Sequence, residues 1–420
     1  MSNIVSNEIK VPWLKELPGQ SKIIRLRYLC SITTGDKNTE DKQEAGEYPF
    51  FVRSQTIEHI NSYSYDGLGI LTAGDGVGVG KVFHIIDGKF DFHQRVYLFH
   101  KFSELVVPKY LFYYLKTNLI RDLKRYNAKS TVDSVRLPIL KDFPVLVHSL
   151  PKQNAIATYL DFQLVKISHF IQKKEQFIEL LKEQRQGIIN KAVTKGIDPT
   201  VKLKDSGIDW LGEIREHWEV RRLRYCGTCQ NGLNKGGEYF GSGHPFFGYG
   251  DIYNNAILPT PSGLVQSNES DHYNCSVQKG DVFFTRTSEV VEEIAISSTC
   301  FESVDQATFS GFLIRFRPLE NMIDPLYSSY LFRAQFLRNY FVKEMNIMTR
   351  ASLSQDTLKN LWVILPPITE QIAIGLYLNK ETSKIDQAIS KAEREIELIK
   401  EYKEAMIAEA VLGKLEIPTK

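Results

Sequence analysis

Cysteine and long apolar runs are both scarce in this sequence of 420 residues. The five cysteines are an odd number and are scattered along the chain, which fits a reducing compartment better than a framework of disulfide bonds. No run of about 18 uncharged apolar residues is present, so the sequence contains no candidate transmembrane helix. The opening residues MSNIVSNEIKVPW lack a basic segment followed by an apolar one, and they do not resemble a secretory signal. We expect a cytoplasmic protein.

The chain also lacks an excess of charge of either sign. Its 52 basic and 50 acidic residues give a net charge of +2, so composition neither supports nor excludes binding to nucleic acid. Apolar residues make up 43% and charged residues 24% of the chain, which is enough apolar material for well-packed cores. Its length predicts two or three domains.

Recognisable catalytic motifs are missing as well. The sequence has no G-x-S-x-G elbow, no H-E-x-x-H helix and no protein-kinase set, and it lacks the Asn-Pro-Pro-aromatic tetrapeptide that amino-methyltransferases use. The glycine-rich run 74–81 fails as a Walker A loop because Asp75 and Val82 occupy positions that require Gly and Ser or Thr. We predict a glycine-rich hairpin there, with close approach of its backbone to a ligand left open.

A direct duplication organises the chain. Near the start, Trp13-Leu14 recurs as Trp210-Leu211, and Leu26-Arg27-Tyr28 recurs as Leu223-Arg224-Tyr225, both at an offset of 197 residues. Further along, an offset of 218 relates other matching residues, which include Gln153 and Gln371, Tyr159 and Tyr377, Lys166-Ile167 and Lys384-Ile385, and Ala192-Val193 and Ala410-Val411. So many identities in the same order predict two copies of about 200 residues each.

The duplication helps to interpret the one cysteine pair with metal-site spacing. Cys226 and Cys229 are spaced like a zinc or redox pair, but no second close pair follows. The other copy has Leu29 and Ile32 at the corresponding positions. We therefore predict small buried apolar side chains and no metal site.

Each copy has two parts with different periodicity. The first 140 residues or so are rich in Gly, Pro, aromatic residues and short β-prone runs such as 69–72, 81–86 and 281–285, and they predict a compact β-rich domain with helices over 108–126 and 325–343. The last 45 residues or so follow a heptad pattern of apolar residues, which predicts a long helix that needs a partner. The predicted helix-pair interface consists of Ile167, Ile171, Ile178, Leu181, Arg185 and Ile188 in the first helix and Ile385, Ile389, Ile396, Ile399, Lys403 and Met406 in the second.

Charge favours pairing of the two long helices with each other. Residues 152–195 carry eight basic and four acidic residues, whereas residues 368–414 carry seven basic and nine acidic residues. The chain order of domain, helix, domain, helix predicts an antiparallel pair that holds two similar domains apart as a rod of about 60 Å with pseudo-two-fold symmetry. Arg185 and Lys403 occupy core-type positions, where either their stems pack while their heads reach water, or they form a polar layer that sets the register.

Several segments resemble one known family, the specificity subunits of type I restriction-modification enzymes. The resemblance is carried by AVTKG at 192–196, KDSGIDWLGEI at 204–214, HWEV at 217–220, GDVFFTRT at 280–287 and LPPITEQIA at 365–373. It extends over essentially the whole chain. The first copy departs from it, because LPKQ at 150–153 lacks the second proline and the glutamate, and LTA at 71–73 stands where the second copy has FTR.

The resemblance implies an α+β fold with two target recognition domains, at 1–150 and 210–365. It also implies spacer helices at 151–196 and 366–420, with a linker at 197–209. Each domain would read one half of a bipartite, asymmetric site in double-stranded DNA, and the helices would set the spacer and dock two modification subunits. Those subunits would bind S-adenosylmethionine, and separate restriction subunits would use ATP and magnesium. The chain itself would be non-catalytic and would bind no cofactor.

Two other functions stay open at this stage. The chain is alternatively a self-sufficient DNA methyltransferase with unrecognised motifs, or a coiled-coil scaffold that joins two protein-binding domains. If the resemblance holds, polar loop residues at comparable places in both domains are the candidate DNA contacts, each of which is otherwise a solvated loop residue. These candidates are Arg53, Gln55, Asp75, Gln94, Arg95, Lys129 and Ser130 in the first copy and Tyr249, Asp251, Thr285, Arg286, Arg350 and Ser352 in the second.

Overall fold

The structure, a computed structural model, describes residues 21–126, 134–288, 293–345 and 352–417 together with positions 11, 18, 19 and 290. Its chain divides into two compact units. Met1–Glu175 and Glu393–Lys420 form unit 1, and Gln176–Ala392 forms unit 2. Both boundaries fall within long helices, so each unit contains one β-rich domain and a part of each long helix.

Among the described residues, the first half of the chain contains ten named strands, three α-helices and three short 3₁₀-helices. The strands are β1 (Lys22–Arg25), β2 (Ser31–Thr34), β3 (Tyr48–Phe51), β4 (Ile57–Ile60), β5 (Tyr65–Asp66), β6 (Gly69–Ala73), β7 (Phe83–Ile86), β8 (Lys89–Phe92), β9 (Val96–His100) and β10 (Pro144–Val147). The helices are α1 (Pro108–Tyr126), α2 (Leu137–Asp142) and the long α3 (Leu150–Lys195).

The second half repeats this plan with additional short elements. Its strands are β11 (Leu203–Asp205), β12 (Glu213–Arg215), β13 (Glu219–Arg222), β14 (Gly227–Asn231), β15 (Phe240–Phe247), β16 (Gly263–Val265), β17 (Val282–Thr285), β18 (Ser297–Thr299), β19 (Thr308–Phe309), β20 (Leu313–Pro318) and β21 (Trp362–Leu365). Its helices are α4 (Tyr249–Tyr253), α5 (Glu269–Cys275), α6 (Pro325–Leu331), α7 (Gln335–Met345), α8 (Gln355–Asn360) and the long α9 (Ile368–Val411).

Corresponding strands pair in the same way in the two units. The main sheet has the order β2-β9-β6-β7 in unit 1 and β14-β20-β17-β18 in unit 2. In both units the first strand of the domain pairs antiparallel with the last, as β1 with β10 and as β13 with β21. A short parallel contact also recurs, between Phe51 and Phe92 in unit 1 and between Phe247 and Phe309 in unit 2. The predicted internal duplication is therefore confirmed at the level of strand register.

Helix α1 shows how the domain core forms. It begins with Pro108, whose fixed φ and missing N–H suit the first turn of a helix. Tyr110, Leu111, Tyr114 and Leu115 follow at helical spacing and are fully buried, so one apolar face of α1 packs into the core of the domain. The sequence prediction of a helix over 108–126 is confirmed.

The predicted helix over 325–343 is wrong as a single element. It is interrupted between α6 and α7, where Phe332 and Ala334 are fully buried. The Arg333 guanidinium donates hydrogen bonds to the carbonyl oxygens of Ser297, at 2.7 Å, and Asn255, at 3.2 Å. These tertiary contacts hold the turn in place, and helix propensity alone would not predict them.

The segment 197–209 also contains more structure than a linker. Strand β11 lies within it and pairs antiparallel with β12, so that Leu203 faces Arg215 and Asp205 faces Glu213. The boundaries of the domains otherwise remain predictions.

The long helices α3 and α9 pair in the predicted antiparallel sense within each unit. In unit 1, Lys152 near the start of α3 reaches the Gly413 carbonyl just past the end of α9, and Lys174 lies 2.5 Å from Glu395. In unit 2, the Arg185 guanidinium lies 2.9 Å from the Asp386 carboxylate. Both ion pairs join a cation of α3 to a carboxylate of α9, in agreement with the opposite charge of the two helices.

Half of the predicted helix-pair residues are buried. These residues are Ile167, Ile178, Leu181, Ile385, Ile396 and Met406. The others are half-buried, namely Ile171, Arg185, Ile188, Ile389, Ile399 and Lys403. The Arg185 guanidinium pairs with Asp386 of the facing helix, whose side chain is 53% exposed, so the head of Arg185 lies at the surface of the helix pair. Lys403 also affects Lys116 of α1 in unit 1. Burial is the main cause that lowers the pKa of Lys116, and the positive charge of Lys403 contributes to the shift.

Candidate nucleic-acid interface

Two arginines and an aspartate meet in unit 1 where the central strand β6 of the main sheet ends and its neighbour β9 begins, a place that we call the recognition edge of this unit. Arg53 follows β3, Asp75 follows β6 and Arg95 precedes β9. The Asp75 carboxylate accepts hydrogen bonds from Arg53, at 3.1 Å, and from Arg95, at 3.2 Å. Asp75 is half-buried, whereas both guanidinium side chains are largely exposed. The carboxylate thus orients two cationic donors towards solvent.

The backbone of the glycine-rich loop fixes this arrangement. The Gly74 N–H donates to the Arg95 carbonyl at 2.8 Å, and the Val135 N–H donates to the Gly74 carbonyl at 2.9 Å. At Gly78, a Cβ atom would lie 2.5 Å from the Arg53 carbonyl oxygen, so only glycine fits there. The loop joins the antiparallel neighbours β6 and β7, which confirms the predicted hairpin.

The same edge carries further polar groups around a cleft of about 370 Å³. Gln94 and Arg95 line it, and the Gln94 amide donates to the Asn38 side chain at 2.5 Å. Arg136 and Ser134 also line the cleft. Sequence reasoning missed these two residues, which follow β9 in the chain by about 35 residues. Gln55 lies elsewhere and donates to the Phe83 carbonyl at 3.4 Å.

His93 lies beneath this edge as a neutral base. Burial, assisted by the nearby charge of Arg53, lowers the pKa of His93. Its Nδ1 accepts a hydrogen bond from the Arg95 backbone N–H at 2.9 Å, which further orders the arginine. Guanidinium groups on an ordered loop are suited to guanine O6 and N7, and carboxamides such as that of Gln94 are suited to adenine.

Backbone hydrogen bonds identify the equivalent edge in unit 2. The Arg286 N–H donates to the Phe312 carbonyl at 2.9 Å, and the Leu353 N–H donates to the Arg286 carbonyl at 2.7 Å. Thr287 then pairs with Ser352 as Asp75 pairs with Ser134. Arg286 therefore corresponds to Gly74 and Thr287 to Asp75. This corrects the sequence comparison of LTA at 71–73 with FTR at 284–286, which placed Ala73 opposite Arg286.

The unit 2 edge differs chemically from the unit 1 edge. By the same backbone pattern, Phe312 occupies the place of Arg95, and Gly311 occupies the place of Gln94. The Phe312 side chain is 60% exposed, which is unusual for a large aromatic ring. Sequence reasoning missed Phe312, because an aromatic residue beside a strand is normally taken as core.

Two predicted contact residues in unit 2 are not available to a ligand. Thr285 is fully buried, and its hydroxyl donates to the Glu293 carbonyl at 3.3 Å and accepts from the Ile296 N–H at 2.9 Å. Asp251 is also buried, and its carboxylate accepts from the Gly248 N–H at the start of α4. Their polar groups are already satisfied within the domain, which argues against both residues as base contacts.

The remaining candidates lie at the surface or outside the described residues. Arg286, Ser352 and Tyr249 are half-buried. The Tyr249 ring stacks on Tyr253 with a centroid distance of 5.9 Å, and the Tyr253 hydroxyl donates to Glu293 at 2.8 Å. Lys129, Ser130 and Arg350 lie outside the described residues.

The cysteine pair of unit 2 has the chemistry of core residues. Burial raises the pKa of both Cys226 and Cys229 to about 11, so both thiols stay protonated at neutral pH and are poor metal ligands. In the parts of the chain that the structure describes, no group of three His, Cys, Asp or Glu side chains is placed to hold a metal ion. Among the same residues, no helix is both long and apolar enough to cross a membrane.

The chain contains two copies of a β-rich domain. Each copy is joined to a long helix and has its own recognition edge. These features define a class of protein with two separate recognition domains. A family model for the type I restriction modification DNA specificity domain matches residues 18–180 and 216–398. The matches cover most of the chain, and the chain belongs to this family.

Individual relatives agree with this assignment. The type I restriction enzyme EcoDI specificity subunit of Escherichia coli is 29% identical over 178 residues, which are 42% of this chain and 39% of that protein. The chain therefore aligns with less than half the length of this relative. A chain from a study of complex assembly and conformational transition in a type I R-M system has a TM-score of 0.72 at 14% identity, over 96% of this chain and 100% of that one. The HsdS subunit of Thermoanaerobacter tengcongensis has a TM-score of 0.55 at 15% identity, over 95% and 98%.

Proposed function

We propose that this chain is the DNA sequence-recognition subunit of a type I restriction-modification complex. Each β-rich domain reads one half of a bipartite, asymmetric site in double-stranded DNA. One observation carries the proposal: the two units hold different side chains on the same backbone framework. Arg95 and Asp75 in unit 1 correspond to Phe312 and Thr287 in unit 2. Two frameworks with different donors and apolar groups suit two different half-sites.

Base reading in unit 1 would use the ordered arginines. Arg53 and Arg95 are fixed by Asp75 at 3.1 and 3.2 Å, so little side-chain freedom is lost when they meet guanine edges. In unit 2, the exposed Phe312 ring would instead contact a thymine methyl group or stack beside a base step.

The long helices would set the spacer and dock the modification subunits. Leu180 of α3 and Leu398 of α9 are related by the 218-residue offset. Their side chains are 62% and 47% exposed, outside the buried seam of the helix pair. An exposed leucine at the same place in both copies provides two equivalent apolar contacts. We therefore expect two modification subunits per chain.

The chemistry would belong to the partner subunits. The modification subunits would bind S-adenosylmethionine and methylate adenine, and restriction subunits would use ATP and magnesium for translocation and cleavage. This chain would contribute no catalytic residue and no cofactor site.

Methylome sequencing tests the proposal directly. The chain is co-expressed with its cognate modification subunit, and methylated adenines are mapped in the host DNA. We expect one asymmetric motif with two specified halves and an unspecified gap. Arg95→Ala should relax the sequence preference in only one half of the motif, and Phe312→Ala should relax it in only the other half. Each variant is therefore the control for the other. A change of both halves by one variant would contradict independent reading.

Mass measurement of the purified complex tests the docking proposal. We expect two modification subunits per chain, and Leu180→Asp together with Leu398→Asp should abolish assembly. A stable one-to-one complex at saturation would exclude symmetric docking.

A further inference from the structure

The triplet Leu-Arg-Tyr occurs at the same place in both copies, as Leu26–Tyr28 and Leu223–Tyr225. In both copies it forms one turn of 3₁₀-helix after the first strand of the domain. The leucine is fully buried in each case, so core packing explains why it is repeated. The tyrosines are different, because Tyr28 is 43% exposed and Tyr225 is 63% exposed. Packing does not explain their repetition.

Basic residues surround the triplet in unit 1. Arg25 and Arg27 both donate to the same Asp142 carboxylate oxygen, and the Arg25 contact measures 2.9 Å. Arg27 also donates to the Lys141 carbonyl at 3.3 Å. These residues are exposed. We refer to Arg25, Arg27, Tyr28 and Lys141 as the first Arg-Tyr patch.

The same residue types recur at the corresponding places in unit 2. Arg222 and Arg224 both donate to the side-chain oxygen of Asn360, and the Arg222 contact measures 2.8 Å. Lys359 precedes Asn360 as Lys141 precedes Asp142. We refer to Arg222, Arg224, Tyr225 and Lys359 as the second Arg-Tyr patch. The acceptor changes from a carboxylate to a neutral amide, whereas the three cations and the tyrosine are kept.

This repetition contrasts with the recognition edges. Arg95 and Asp75 of unit 1 are replaced by Phe312 and Thr287 in unit 2, so those positions suit different ligand groups. The Arg-Tyr patches carry the same four residue types in both units, and therefore suit the same ligand group twice. Both patches are net positive, with three cations against one carboxylate in the first and none in the second. Their ligand is expected to be anionic.

Each patch lies one short helix away from its recognition edge. Arg136 lines the unit 1 cleft immediately before α2, and Lys141 and Asp142 end that helix. Six helical residues span about 9 Å, which is less than the width of about 12 Å of the major groove. In unit 2, α8 similarly separates Ser352 from Lys359. A duplex whose bases face the edge would therefore present its sugar-phosphate backbone near the patch.

We propose that the two Arg-Tyr patches bind DNA phosphates, one at each half-site, and supply affinity without sequence preference. The proposal rests on the proposed function, because it assumes that the two edges read duplex DNA. Arginine forks and a tyrosine hydroxyl are common phosphate donors. Since every half-site offers the same phosphates, the same donors suffice in both units, whatever bases the edges read.

Salt-dependent binding tests the proposal in the assembled complex of this chain with its modification subunits. Dissociation constants are measured between 50 and 300 mM KCl for a cognate duplex and for a duplex with both half-sites scrambled. The double variant Arg27→Gln with Arg224→Gln removes one cation from each patch. We expect the slope of log K against log salt to fall by about 1.8, and binding to both duplexes to weaken about 30-fold at 0.15 M. The ratio of the two affinities should stay unchanged.

Two further variants separate phosphate binding from a structural role. Lys141→Gln with Lys359→Gln leaves the arginine contacts to Asp142 and Asn360 in place, and should reduce the slope by the same amount. If the arginine variant does not fold, this lysine variant still tests whether the patches bind phosphates. Arg394→Gln is the matched control, because Arg394 is also exposed and ion-paired, to Glu397 at 2.8 Å on α9, and it should leave the slope unchanged.

Each contrary outcome overturns the proposal in a recognisable way. An unchanged salt slope with intact assembly would mean that the patches do not meet phosphates. Loss of the modification subunits from the complex would assign the patches to protein docking instead, and an altered affinity ratio would assign them to base reading. If the complex without substitutions does not bind the cognate duplex more tightly than the scrambled duplex, the proposed function fails. This result does not depend on the patch variants.

Discussion

Gln153 ties the first long helix to the unit 1 domain, and replacing it with methionine should destabilise that unit. Its side chain is fully buried in the first turn of α3. The carbonyl oxygen accepts from the Val107 N–H at 2.7 Å, and the amide donates to the carbonyls of His148, at 2.8 Å, and Leu105, at 3.0 Å. Methionine has a similar volume but makes none of these hydrogen bonds.

The expected loss follows from the groups left unpaired. Leu105 is half-exposed, so water can replace the hydrogen bond to its carbonyl. The Val107 N–H and the His148 carbonyl lie in less accessible surroundings, and each buried unpaired group costs about 1–3 kcal/mol. No cavity is added, so we expect a loss of about 4 kcal/mol. For a unit of this size that corresponds to a fall in Tm of about 8–16 °C.

Urea unfolding and thermal melting of the purified chain measure this loss. Gln371→Met should have the same effect in unit 2, because Gln371 accepts from the Asp324 N–H at 2.9 Å and donates to the Pro366 carbonyl at 2.9 Å. Gln172→Met is the matched control, since Gln172 lies on the exposed face of the same helix as Gln153. A loss below about 1 kcal/mol in both buried variants, or an equal loss in the control, would refute the reasoning.

Three further predictions concern pH, the recognition edge and the helices. Burial lowers the pKa of His148 to about 4, against about 6.5 in the unfolded chain; stability should therefore fall as pH decreases from about 6.5 to 4, and His148→Gln should flatten this part of a urea-midpoint profile. Asp75→Asn releases Arg53 and Arg95, and methylome sequencing should show changed preference in one half-site only. Insertion of seven residues after both Leu181 and Ile399 keeps the heptad register and lengthens each helix by about 10 Å. Methylome sequencing should then show either a spacer longer by about three base pairs or no methylation in a folded complex, and an unchanged spacer with full activity would contradict the role of the helices.

Local patterns were sufficient to predict much of the fold. Helix α1 and the heptads of α3 and α9 follow from the spacing of apolar residues, because one buried face repeats every 3.6 residues. The duplication was visible because both copies keep the residues that hold domain and helix together. The break before α7 was not predictable, since it depends on contacts of Arg333 with residues distant in sequence.

The recognition edges were harder to predict than the fold. Thr285 ends β17 and Asp251 lies shortly after β15, and polar residues at such places indicate exposed loop positions. Both residues are buried and hydrogen-bonded instead. Loop lengths differ between the copies, and the comparison of LTA at 71–73 with FTR at 284–286 placed Ala73 opposite Arg286. Backbone contacts distant in sequence, such as the hydrogen bonds of Gly74 and Arg286, establish the correspondence.

Residues that are the same in both copies and residues that differ between the copies have different roles in this chain. The Tyr110 hydroxyl lies 3.0 Å from the Val411 carbonyl of α9 in unit 1, and the Tyr327 hydroxyl lies 3.5 Å from the Val193 carbonyl of α3 in unit 2. Each tyrosine thus joins its domain to the end of a long helix through the same contact. Arg95 and Phe312, at equivalent places on the edges, share no chemistry. The proposed function, in which the chain holds two identical partners but reads two different half-sites, would require this combination, because the framework must repeat while the edges must diverge.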